Sequence, residues 1–279
     1  MSAFRTIEHS DPALAPEGLR FVTVKSAALA QRADLLVFVP RQAEGLQDLP
    51  LVLLLHGVYG SHWAWAFKGG AHRTAQRLID AGHIPPLVLA MPSDGLWGDG
   101  SGYVRHAQQD FERWVVDEVP AAARAACAAC SEASPLCIAG LSMGGFGALR
   151  LAGRHPRRFA AAAGLSAMTD VAQFDMFSSD SLAGWAAEPH DTSVLAALST
   201  TAQPPPLHLS CGRDDPLIQA NRALHAALQE RGIAHEYAEH SGGHSWDYWS
   251  RHLEDTLRFF GKHLDEHQAP HDAQIGSLG

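Results

Sequence analysis

The chain has 279 residues, 46% of them hydrophobic and 18% charged, and a formal net charge of −9, the composition of an ordinary globular protein long enough for one large core. The acidic balance and the lack of a Lys/Arg cluster argue against nucleic acid or an anionic membrane as partner. No apolar run approaches the roughly 18 residues that cross a bilayer, and the first residues hold no apolar export segment, so a cytoplasmic location is expected.

In chain order, residues 19–24 and 34–39 alternate or run apolar and predict two early strands. Residues 51–55, L-V-L-L-L, form a continuous apolar run, as expected for a strand covered on both faces, and end at His56-Gly57-Val58-Tyr59-Gly60. A helix is predicted over 68–81, stopping at Gly82. Residues 86–91 give the next buried strand, followed by a Gly-rich loop with Trp97 and Tyr103 and by a helix over about 107–130. Cys127 and Cys130 form a C-x-x-C in its Ala-rich end, where a spacing of three places both on one helix face as small apolar residues rather than as redox or zinc groups. Cys137 and Cys211 fall in predicted buried strands, so nothing calls for an oxidising compartment.

A strand at 136–139 leads into Gly140-Leu141-Ser142-Met143-Gly144, and a helix-compatible run over 145–153 follows. Residues 159–165 read as a strand. From 167 to 206 the periodicity loosens, and an insert of this length is expected to form a lid or wall of a functional site. A strand at 207–211, a helix at about 216–231, a strand at 234–239 and a helix at about 246–264 complete the pattern. The tail 265–279 is polar and is expected to be mobile. Apolar strands alternating with helices imply an α/β fold, with a mostly parallel central β-sheet carrying helices on both faces, in a single domain over 1–279.

The order strand, Gly-x-Ser-x-Gly, helix is that of a nucleophile elbow, in which the serine sits on a strained turn above the sheet edge. The following helix aims its N-terminus at the same spot, so the Met143 N–H is placed to stabilise a developing oxyanion. A serine needs a base and an orienting carboxylate, in the chain order Ser, acid, His. After the 207–211 strand come Asp214 and Asp215, and after the 234–239 strand comes H-S-G-G-H-S-W with His240 and His244. The position of His244 behind two glycines on a strand-end loop favours it, with His240 as the fallback. Between the two aspartates the pattern leaves the choice open. His56 precedes the nucleophile and reads as a structural residue of the loop that offers the Val58 N–H as second oxyanion donor.

The segments L-L-H-G-V-Y-G-S-H-x-x-W, G-L-S-M-G-G-F-G-A, C-G-x-x-D and G-G-H-S-W-x-x-W together resemble the putative esterase family of α/β-hydrolases, over about residues 20–263. That family includes S-formylglutathione hydrolase (esterase D), tributyrin, acetyl and feruloyl esterases and the mycolyltransferases. The resemblance implies Ser142 as nucleophile, Asp215 as orienting acid, His244 as base, and Val58 and Met143 as backbone oxyanion donors. S-formylglutathione hydrolases tend to carry S-G-L-T-C where this chain has H-G-V-Y-G. The expected activity is that of a serine carboxylesterase acting on short-chain or small soluble acyl esters, with no metal or organic cofactor. The alternatives are a thioesterase of the S-formylglutathione hydrolase type, an acyltransferase, or a binding protein on the same fold. Trp63, Trp65, Trp97 and Trp185 are the expected pocket wall, since their loops should reach the same sheet edge. Among similar enzymes a homodimer is common.

Overall fold

Five consecutive apolar residues are shielded on both faces only in the middle of a sheet, and that is where Leu51–Leu55 lies. The computed structural model describes residues 4–268. It contains a nine-stranded sheet in the order β1-β2-β3-β5-β4-β6-β7-β8-β9. The strands are β1 (Ile7–His9), β2 (Leu19–Lys25), β3 (Arg32–Phe38), β4 (Leu51–Leu55), β5 (Val88–Pro92), β6 (Leu136–Leu141), β7 (Ala161–Leu165), β8 (Leu207–Gly212) and β9 (Glu236–His240). The first three pair antiparallel, as β3 does with β5, and every pairing from β5 through β4 to β9 is parallel.

The helices are α1 (Ala64–Phe67), α2 (Ala71–Asp80), α3 (Phe111–Arg113), α4 (Val119–Ala126), α5 (Met143–Arg154), α6 (Pro189–Thr192), α7 (Val194–Leu198), α8 (Ile218–Glu230) and α9 (Trp246–Gln268). They cover both faces. Val52 and Leu54 pack in one apolar cluster with Leu78 of α2 and Leu253 and Leu257 of α9. Leu51, Leu53 and Leu55 pack in the other with Val119 of α4, Phe146 and Leu149 of α5 and Leu224 of α8. Two-sided cover, not a helical period, explains the unbroken apolar run.

Four expectations are corrected. The helix over 68–81 begins only at Ala71, because Gly70 adopts φ +63° and breaks the turn from α1. The helix over 107–130 is α3, a single π-type stretch at Trp114–Glu118, and α4 ending at Ala126. Pro120 near the start of α4 lacks the N–H that would continue the i to i−4 ladder, and the widened turn lies just before it. Cys127 has extended backbone (φ −135°), so Cys127 and Cys130 occupy a buried turn after the helix and not a helix face. At the other end α9 continues to Gln268, so residues 265–268 belong to a helix, while the rest of the expected mobile tail lies outside the described residues.

The insert between β7 and β8 carries a 3-10 turn at Val171–Met176 and the short helices α6 and α7. A fully buried guanidinium fastens it. Arg150 of α5 lies 2.9 Å from Glu112, 3.3 Å from Asp191 of α6 and donates to the Tyr103 carbonyl at 2.8 Å. One side chain thereby joins the elbow helix to the insert, the Gly-rich loop and α3. Burial would raise the Glu112 carboxyl, but His155, Arg150 and Arg154 around it hold it well below the usual carboxylate range.

Removing a buried charge leaves its partners uncompensated, so Arg150→Met is expected to lower the unfolding free energy by about 3 kcal/mol in urea titration. A carboxylate with a depressed folded pKa contributes stability that is fully present above its unfolded value of about 4.3 and is lost as the pH falls toward the folded one. The Tm gap between wild type and Glu112→Gln is therefore expected to be widest near pH 7 and to close progressively below about pH 4.

Candidate active site

The site begins at a turn that only certain residues can form. Ser142 joins β6 directly to α5 at φ 54° and ψ −119°, outside the ordinary regions for a residue with a Cβ. Its neighbours must be bare for the turn to close. A Cβ on Gly140 would stand 2.2 Å from the Gly144 backbone, and one on Gly144 would stand 2.3 Å from the Leu55 carbonyl oxygen. The strain is held by backbone hydrogen bonds: Ser142 N–H donates to Leu165 at 3.0 Å, and the Ser142 carbonyl accepts from Phe146 at 3.0 Å and Met168 at 3.1 Å.

Two further strand ends converge on this hydroxyl. His244, on the loop after β9, has Nε2 3.0 Å from Ser142 Oγ and Nδ1 2.9 Å from Asp215 Oδ2. An ionised carboxylate can only accept, so Nδ1 carries the proton and Nε2 is the free acceptor facing the serine. Asp215 is buried, and the Leu217 N–H holds its Oδ1 at 2.8 Å. Of the two aspartates, Asp215 is the one that meets His244, while Asp214 is exposed. His240 is engaged elsewhere, its ring stacked on His252 at 4.0 Å. His56 is buried, with Nδ1 donating to the Gly57 carbonyl at 2.7 Å and Nε2 accepting the Asp94 N–H at 3.3 Å.

Met143 is the first residue of α5, and the helix itself offers its N–H no partner. Val58 lines the cavity with Ser142. The approach of the two segments is set by Gly57, where a Cβ would fall 2.7 Å from the Leu141 side chain and 3.2 Å from Ser142 Cβ.

The cavity over Ser142 and His244 has a volume of about 460 Å³, and Tyr59, Trp63, Phe177, Trp246 and Trp249 form its aromatic wall, with Lys68 beside them. Phe177 stacks on the His244 ring at 4.9 Å, Trp249 meets the same ring edge-on at 4.9 Å, and the Tyr59 hydroxyl donates to the Phe177 carbonyl. Of the four tryptophans expected in the pocket, only Trp63 lines it. Trp65 is 1% exposed and its indole N–H donates to the Leu55 carbonyl at 2.9 Å, so it supports the loop from beneath. Trp97 and Trp185 gather instead around His106, at 5.6 and 4.7 Å, with Phe111 and Phe174. Loop membership places a residue near the sheet edge but does not orient its ring. The missed wall residues Trp246 and Trp249 carry a legible signal, a spacing of three at a helix start that puts both on one face.

Volume alone does not mark the site. A larger cleft of about 780 Å³ lies between residues 199–207 and 231–236, away from Ser142. Among the described residues, one group has the composition of a metal site: His240, His252 and Asp255 present ligand atoms within 4.8 Å of one another. None of the three lines the Ser142 cavity.

The model of the family described as putative esterase matches residues 26–260. The chain belongs to that family. It is 25% identical over 239 residues to an acetyl esterase of Caldicellulosiruptor saccharolyticus, covering 78% of this chain and 86% of the relative. A solved ferulic acid esterase superposes with a TM-score of 0.77 at 23% identity, over 88% of this chain and 98% of the other. An S-formylglutathione hydrolase from Agrobacterium tumefaciens gives 0.75 at 19% identity, over 95% and 100%. At these identities the structural likenesses establish the α/β-hydrolase fold and no more.

The geometry fixes the proton between His244 Nδ1 and Asp215. A downfield proton resonance, beyond the amide envelope, is expected in wild type and should vanish in Asp215→Ala while the folded amide spectrum persists.

Proposed function

We propose that this member of the family is a serine carboxylesterase that hydrolyses short-chain or small soluble acyl esters through an acyl-enzyme on Ser142. The observation that carries this reading is the bridging imidazole of His244, 3.0 Å from Ser142 Oγ on one side and 2.9 Å from Asp215 on the other. Ser142 Oγ attacks the ester carbonyl carbon while its proton passes to Nε2 of His244, and Asp215 stabilises the imidazolium through Nδ1–H. The carbonyl oxygen becomes an oxyanion that accepts from the Val58 and Met143 N–H groups. Collapse expels the alcohol, which takes the proton from His244. Water then adds to the acyl carbon with His244 again as base, releasing the acid and restoring the serine. No step calls for a group other than these residues and water.

The size of the cavity supports a small acyl or alcohol part, and its aromatic wall suits an apolar or planar one. The acetyl esterase and ferulic acid esterase among the similar proteins act on esters by name. The ferulic acid esterase and S-formylglutathione hydrolase likenesses both rest on fold alone, so it is the acetyl esterase, alike in sequence, that puts esters before thioesters.

With p-nitrophenyl esters from acetate to decanoate, wild type is expected to cleave the short members and to fall off with chain length. Ser142→Ala and His244→Ala should each lose about 10⁴-fold or more in kcat, and the double variant little beyond that, because the groups act as a unit. A fluorophosphonate should label wild type and not Ser142→Ala. Absence of both turnover and labelling would remove the reading.

A further inference from the structure

Among the 21 Lys and Arg residues only three are lysines, Lys25, Lys68 and Lys262. One of these three borders the Ser142 cavity. The cavity lining contains Lys68 and, as its only other ionisable groups, Tyr59 and His244; no carboxylate side chain contributes to it. Nine of the 21 Lys and Arg side chains pair with a carboxylate among the described residues, Arg73 with Glu17, Arg77 with Glu254 and Arg222 with Glu239 among them, so what sets Lys68 apart is its place beside the cavity rather than the lack of a partner. Among the described residues Lys68 has no carboxylate oxygen within 4.0 Å of its ammonium group.

What holds Lys68 is a ring. Its Nζ lies 5.6 Å from the centroid of Trp246, itself a cavity-wall residue two positions after His244. Trp246 is fixed in turn, edge to face, by Trp65 at 5.6 Å and Trp249 at 5.4 Å, and Gly69 lies against it so closely that a Cβ there would stand 2.9 Å from the indole. A cation–π contact positions an ammonium group without neutralising it. Lys68 is solvent-exposed, so its charge stays open to a ligand at the edge of the aromatic-walled cavity, where water screens any ion pair it forms.

We infer that Lys68 is a specificity-determining residue and that the preferred ester carries an anionic group, a carboxylate or its equivalent, on the part of the molecule that extends from the scissile carbonyl toward Trp246. This rests on the esterase reading and names the substrate class for it. The aromatic wall takes the body of the ester, Lys68 takes the charge, and the bond change remains the one described: the acyl carbon passes from the alcohol oxygen to Ser142 Oγ and then to water.

The test uses two matched pairs of esters, one for each side of the scissile bond. On the alcohol side 4-acetoxyphenylacetate is compared with 4-acetoxyphenylacetamide, in which the methylene keeps the leaving phenols alike. On the acyl side phenyl hydrogen adipate is compared with phenyl adipamate. In at least one pair the anionic ester is expected to have the higher kcat/KM, by about two- to fivefold, as for a solvent-exposed charge pair. That ratio should shrink in 0.5 M NaCl, fall to near unity in Lys68→Met and invert in Lys68→Glu. Wild type turning over both members of both pairs equally, or a ratio that survives Lys68→Met, would overturn the assignment of Lys68 and leave the esterase reading intact. No turnover of any of the four esters, together with no fluorophosphonate labelling, would instead remove the esterase reading and this inference with it.

Discussion

The arrangement depends on the distance between two glycines. Gly140 and Gly144 approach so closely that a single methyl group on either would collide with backbone, and this contact lets the chain reverse from β6 into α5 within one residue. Ser142 is thereby forced to positive φ, where its hydroxyl clears the sheet edge and the N-terminus of α5 points at the same space. Strain of this kind persists only where surrounding structure over-determines it. Here the Leu165, Phe146 and Met168 backbones supply that constraint.

The sheet register then delivers the rest of the site. Gly212 at the end of β8 pairs with His240 at the end of β9, and the loops beyond are tied by Arg213 N–H to the His240 carbonyl at 2.8 Å and Asp214 N–H to the Gly242 carbonyl at 3.0 Å. A Cβ on Gly212 would stand 2.2 Å from the Gly242 carbonyl oxygen. Asp215 and His244 meet because two parallel strands end level with each other and their loops are laced together. The imidazole is further clamped between Phe177 and Trp249, so its orientation is set by packing as well as by the carboxylate. The insert, through Phe177 and its bond to Tyr59, and α9, through Trp246 and Trp249, close the two sides of one cavity. Arg150 anchors the insert to the elbow helix and so couples this wall to the turn that bears Ser142.

The amino-acid sequence alone determined the fold class, the order of the parallel strands' segments and the identity of the elbow. Those features are local: apolar runs of strand length, Gly-x-Ser-x-Gly between a strand and a helix, and a histidine behind two glycines are all written in contiguous residues. The boundaries that went astray have local causes whose weight was not visible in periodicity, namely Gly70 in a left-handed conformation and Pro120 widening the turn before α4. The residue pattern left Asp214 and Asp215 open and the family resemblance pointed to Asp215; the tertiary structure places that residue, buried, against His244, a contact that requires the β8–β9 register. It also decided which aromatics face the cavity. Trp63 and Trp65 differ by two positions, yet the one just before α1 lines the cavity and the one within it is buried beneath the loop, and Trp97 and Trp185 pack around His106. Chain order can bring a loop to the sheet edge, but the direction of a ring is fixed by what it packs against, and those neighbours come from segments distant in sequence.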